Sequence, residues 1–122
     1  MTSSDPVLFF DEVVVGDEAV TPGRTITEAD VVRYAQLSGD YDPRAVDVEF
    51  ARANEFGRVV PDLLVPVFSS GLSWRIPRLP LAIMAFMGLE WQFFKPIRIG
   101  DTVSLRLRAT AKRKMKEVGV VI

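Results

Sequence analysis

The sequence predicts an α+β domain in which antiparallel strands accompany one buried apolar helix. Three observations predict it. A strand-like stretch, "EAVTPGRTIT", comes first and is broken by Pro22-Gly23. Helical segments follow, and the last, "VVPDLLVPVFSSGLSW", is apolar nearly all round, so as a helix it must be buried. The period then drops to two: Val103, Leu105, Leu107 and Ala109 alternate with Ser104, Arg106, Arg108 and Thr110, the pattern of a half-buried strand.

Each element has its own reason. Residues 18–27 carry Val, Thr and Ile around the Pro-Gly pair and read as a short, interrupted strand. In "TEADVVRYAQLSG", Thr27 caps a helix whose first turn holds Glu28 and Asp30, where the helix dipole favours acids. Val31, Val32, Ala35 and Leu37 form its apolar face, and Gly39 stops it. "DVEFARAN" reads as a second short helix, capped by Asp47 and ending near Asn54. Pro61 suits the first turn of the apolar helix, whereas Pro66 in an interior costs about 3 kcal/mol. The expectation is a kink there, or a start after Pro66. Phe86, Trp91, Phe93 and Phe94 read as core or dimer interface, and Trp74-Arg75 with the following "IPRLP" as a loop at a tunnel mouth or subunit contact. "KRKMKE" reads as a charged turn and "VGVVI" as the start of another strand. So few strands leave an open edge, which suggests closing strands absent from this chain or supplied by another.

Composition narrows the function classes. One domain, 1–122, accounts for 122 residues. The 15 basic and 16 acidic residues give no basic excess, which argues against a nucleic-acid partner. There is no Cys and no His, so thiolate and imidazole are missing both as metal ligands and as catalytic groups. No signal peptide and no apolar run of bilayer-spanning length is visible, which places the expected protein in the cytoplasm, off the membrane.

The order of elements resembles the hot-dog fold. "TPGRTITEADVVRYAQLSGDYDP", "EFARANEFGRVV", "SSGLSW" and "FFKPIRIGDTV" resemble, in order, segments of the MaoC-like (R)-specific enoyl-CoA hydratase family. The resemblance runs from about Phe10 to Ile122 and implies reversible syn addition of water to a trans-2-enoyl thioester. The substrate would be an acyl-CoA or acyl-carrier thioester, with no metal or organic cofactor. It also implies a homodimer or higher hot-dog oligomer, or a hetero-oligomer.

The family motif resembles "SGDxNPLHxD"; here it reads "SGDYDPRAVD". Asp40 stands at the catalytic Asp and Ala45 at the catalytic His. Asp42 replaces an Asn, Arg44 replaces an apolar residue, and Pro43 and Asp47 are kept. The second motif resembles "AHGML" and reads "VPDLL". Pro61 stands at the His and Asp62 at the Gly whose N–H serves the oxyanion hole. Ser70 matches a supporting Ser. The resemblance therefore implies a hydratase or dehydratase scaffold, impaired at Ala45 by about the 10²–10⁴-fold that acid–base help contributes. Bland readings stand beside these. Asp40, Asp42, Asp47 and Asp62 also suit turns and caps, and a carboxylate cluster there could instead share a proton or bind a cation. Ser70 suits helix packing. Arg98, Lys112, Arg113 and Lys114 could meet coenzyme A phosphates or simply face solvent. Two alternatives stay open: a non-catalytic acyl-binding or structural subunit pairing with another hot-dog chain, and an engineered or truncated variant with a rebuilt pocket.

Overall fold

The computed structural model describes residues 8–76 and 83–122. Two compact units are present. One comprises residues 23–70 and 89–103, the other residues 1–22, 71–88 and 104–122.

β1 (Glu18–Val20) belongs to the second unit; in the first, the chain enters on β2 (Arg24–Thr25), which pairs antiparallel with β3 (Thr102–Val103). Thr25 faces Thr102, and their hydroxyls lie 2.7 Å apart. Gly23 is needed for this approach, because a Cβ there would lie 2.9 Å from the Thr102 methyl. Ile26, fully buried, follows. Helix α1 (Glu28–Ser38) starts at a capping box: Thr27 and Asp30 each bond the other's backbone N–H. Gly39 ends it in the left-handed conformation, φ 75°. Its inward face differs from the expected one. Val31 and Ala35 are buried with Tyr34 packed beside them, while Val32 and Leu37 (90% exposed) point outward. Residues 31, 34 and 35 share one stripe at helical spacing, and 32 and 37 do not.

Two short helices follow. α2 (Pro43–Val46) was not anticipated: Asp42 caps it by accepting the Arg44 N–H, and Pro43 takes the first helical position. Asp47 closes α2 and caps α3 (Val48–Arg52) by accepting from the Phe50 N–H. α4 (Leu64–Ser73) corrects the expectation for Pro66. The helix neither starts after Pro66 nor carries it in its interior: Pro66 is the third residue, in the first turn, where N–H groups have no intrahelical acceptor to lose. Leu64 and Phe68, one turn apart, join Ile26, Val31, Ala45 and Val60 in the core. The Arg24 guanidinium lies 4.3 Å from the centre of the Phe68 ring.

In the second unit, β1 (Glu18–Val20) pairs antiparallel with β4 (Arg106–Arg108). Buried Thr21 extends the ladder, because its hydroxyl accepts the Leu105 N–H and donates to the Pro22 carbonyl. The predicted alternation holds from 103 to 110, odd positions half-buried and even ones exposed. The "charged turn" is corrected. Lys112–Met115 is strand β5, paired with β6 (Val118–Val121), and only Lys116-Glu117 turn the chain. Thr110 and Ala111 both donate to the Ile122 carbonyl, a bulge that places two residues opposite one. Past it, Lys112 turns inward; its ammonium donates to the Val13 carbonyl at 2.7 Å and stands over the Phe10 ring.

Residues 83–96 form no helix or strand. Phe86, Phe93 and Phe94 are exposed, Phe94 at 90%, so the core half of the expectation for this segment is not met within one chain. The loop expected at "IPRLP" lies, beyond Ile76, outside the described residues.

Candidate functional site

The site is built at the end of α1. Gly39 reverses the chain, and Ser38 locks the reversal: its hydroxyl donates to the Tyr34 carbonyl at 2.6 Å and accepts the Asp40 N–H at 3.0 Å. This brings Asp40, half-buried, back beside Tyr34, whose hydroxyl donates to Asp40 Oδ2 at 3.3 Å. Burial pushes the Tyr34 phenol up, and the negative charges of Asp40 and Asp62 push it further. The phenol is therefore a proton-bearing group across the neutral range.

Ala45, at the position where the resemblance expects an imidazole, is fully buried in the core. Arg58 holds its carbonyl, with Nε at 3.0 Å and Nη2 at 2.6 Å. The other edge of the same guanidinium pairs with both Glu28 oxygens at 2.6 and 2.8 Å. That pairing lowers the Glu28 carboxyl and raises Arg58. One Arg thus ties α2 to the first turn of α1.

Asp42, Arg44 and Asp62 are joined. Arg44 donates to both Asp42 oxygens, the shortest contact 2.6 Å, and reaches Asp62 Oδ2 at 3.2 Å. The Arg44 hydrogen bonds hold the Asp42 carboxyl below the usual range, and the two carboxylates raise the guanidinium further above its own. Asp42, Arg44 and Asp62 therefore form one ion-paired set between α2 and the turn before α4. In that turn, Leu64 and Val65 donate to the carbonyls of Pro61 and Asp62. A groove of about 180 Å³ opens beside it, lined by Val60, Asp62, Val65, Phe93, Phe94 and Ile97.

Of the expected site positions, Ala45 lies in the core, Asp40 is bonded to Tyr34, which packs against that core, and Asp62 is paired with Arg44, the residue before Ala45. Ser70 sits on the exposed side of α4. Asp42 and Asp47 are caps, as their bland reading has it. Arg98 and Arg113 are exposed, and Lys112 is engaged by Val13 and Phe10. Sequence reasoning missed the parts played by Tyr34 and Arg58. For Tyr34 a signal existed: a Tyr and a Ser four apart, then Gly-Asp, place a phenol and a carboxylate on the same side of a helix end. For Arg58 there was none, because its partners are 13 and 30 residues away.

A family model described as "MaoC like domain" matches residues 11–122. Over 108 residues the chain is 39% identical to "Protein MaoC" of Klebsiella aerogenes, covering 87% of this chain and 31% of that one. The chain thus spans less than a third of that relative's length. It is 32% identical to an "(R)-specific enoyl-CoA hydratase" of Rhodospirillum rubrum, covering 90% of this chain and 76% of that one. Among solved structures, it superposes on the monoamine oxidase regulatory protein from "Archaeoglobus fulgius" with a TM-score of 0.85, 29% identity, 94% of this chain and 79% of that one.

Proposed function

The chain belongs to the MaoC-like domain family and has its hot-dog fold, and on that premise we propose that residues 1–122 are a single-domain hydratase or dehydratase for acyl thioesters, weakened at the acid–base step. The observation that carries the reading is Asp40, half-buried and aimed by Ser38 and by Tyr34, whose ring packs against the core that contains the fully buried Ala45. Asp40 takes a proton from water as the water oxygen adds to C3 of a trans-2-enoyl thioester. Charge developing on the thioester oxygen is met by backbone N–H groups of the turn before α4. Arg44 offsets the Asp62 carboxylate there, so the side chain at the family's glycine position opposes that charge less than its formal charge implies. The groove lined by Val60, Val65 and Phe93 supplies apolar wall for the acyl chain. The step needs no metal or organic cofactor. Its substrate is an acyl-CoA or acyl-carrier thioester.

The test is hydration of a short trans-2-enoyl-CoA, followed by loss of the conjugated-thioester absorbance. The wild type should hydrate slowly. Ala45→His should raise the rate by about 10²-fold or more, the contribution of a positioned acid–base group. No rate from the wild type, from Ala45→His, or from the combined Ala45→His, Pro61→His and Asp62→Gly protein would overturn the reading.

A second reading is favoured by the exposed apolar residues Ile83, Met84, Phe86, Met87 and Phe94. Such a segment suits an interface with another hot-dog chain, in a homodimer, a higher oligomer or a mixed pair. Sedimentation analysis separates a monomer from these. Among the described residues no helix is long and apolar enough to cross a membrane.

A further inference from the structure

We propose that Tyr34 is the proton donor that works with Asp40 at this site, in the place the missing imidazole would fill. The proposal rests on the hydratase reading above.

Two observations carry it. Tyr34 is the one side chain among the described residues whose hydroxyl reaches the Asp40 carboxylate, at 3.3 Å. It is also half-buried against the core that contains Ala45, the position that lacks the imidazole. The phenol is thus hydrogen-bonded to the retained base, and its ring packs on the core that contains the vacated acid position. The charged groups facing it are Asp40 after α1 and Asp62 before α4, the latter paired with Arg44. Both carboxylates keep the phenol protonated and able to donate.

The step balances with these two groups and water. The water oxygen bonds to C3 while one water O–H breaks and its proton passes to Asp40. The π electrons of the C2–C3 double bond move onto C2 and the thioester carbonyl. The Tyr34 O–H breaks and its proton bonds to C2, leaving a phenolate. The proton on Asp40 then returns to Tyr34 across their hydrogen bond, and both groups are restored. No oxidant, metal or further co-reactant enters. A phenol is a weaker acid than an imidazolium, so the reaction should be slow.

Four full-length proteins test it: wild type, Tyr34→Phe, Ala45→His and the double variant, all assayed on a short trans-2-enoyl-CoA. Tyr34→Phe keeps the ring and its packing, and equal melting temperatures check that the fold is intact. The expected result is a kcat about 10–100-fold lower for Tyr34→Phe, with KM little changed. In the Ala45→His background the same change should cost less than about threefold, because the imidazole now supplies the proton. The wild-type rate should show no limb between about pH 6 and pH 8, whereas Ala45→His gains one near pH 6.5. Three outcomes overturn the proposal: undiminished hydration by Tyr34→Phe, an equal loss in both backgrounds, or hydration by Ala45→His with none by wild type. If neither wild type nor Ala45→His hydrates the substrate, the hydratase reading itself falls and takes this one with it.

Discussion

Arg58 organises more of the site than any residue the family motif names. Its guanidinium spends one edge on the Ala45 carbonyl and the other on Glu28, so a single side chain fixes α2 against α1. Arg58→Ala leaves that carbonyl without its donors and releases Glu28. A loss of about 1–3 kcal/mol is expected, read as a lower midpoint in urea unfolding with an unchanged slope. Arg44 differs in kind. It is exposed at 44%, and solvent screens its two pairs, so its removal should alter the charge near Asp62 more than the stability of the fold. Asp40 was legible from "SGD" together with the family pattern. Its partner Tyr34 was given no role, because the apolar face of α1 was assigned to Val31, Val32, Ala35 and Leu37 alone.

Among the elements, those with a local cause were legible and those with a distant one were not. α1 followed from Thr27, Asp30 and Gly39, all within a dozen residues of one another. α2 was missed although Asp42-Pro43 is a cap followed by a first-turn proline; four residues leave too little periodicity to register. The start of α4 depended on where Pro66 falls in the first turn, which hydropathy does not report. The β5–β6 hairpin was obscured by charge: "KRKM" is a strand because its ladder with "VGVV" satisfies the backbone, whatever the side chains carry. Its turn contains a strained position, Lys116 at φ 52°. A side chain pays about 1–2 kcal/mol there, partly offset by the extra unfolded-state freedom of glycine. Lys116→Gly should therefore stabilise the protein by roughly 0.5 kcal/mol, seen as a small rise in melting temperature.

At the scale of the whole molecule, pH dependence follows from which groups are present. With no His and no Cys, no side chain ordinarily titrates between about pH 5 and pH 8, and stability should be nearly flat there. On the acid side Glu28, Asp30 and Asp42 are all lowered, chiefly by hydrogen bonds from Arg58, the Thr27 backbone and Arg44. A carboxyl lower in the folded than in the unfolded state stabilises above its unfolded value of about 4 and loses that contribution as pH falls through the folded one. Tyr34, raised, works in the opposite sense: its contribution is complete below about pH 10 and is lost above it. Chemical denaturation at steps from pH 2 to pH 11 should trace a plateau with an edge at each end, and a step near pH 6.5 would contradict it. The sequence by itself determined the elements whose causes are local, namely the caps of α1 and α3, the apolar helix and the alternating strand, together with the family and the absent imidazole. Only the tertiary structure decided that Arg58 holds Ala45 against Glu28 and that Arg44 joins Asp42 to Asp62. Propensity and periodicity act between neighbours along the chain, whereas these contacts arise when separate turns and helices close on one core.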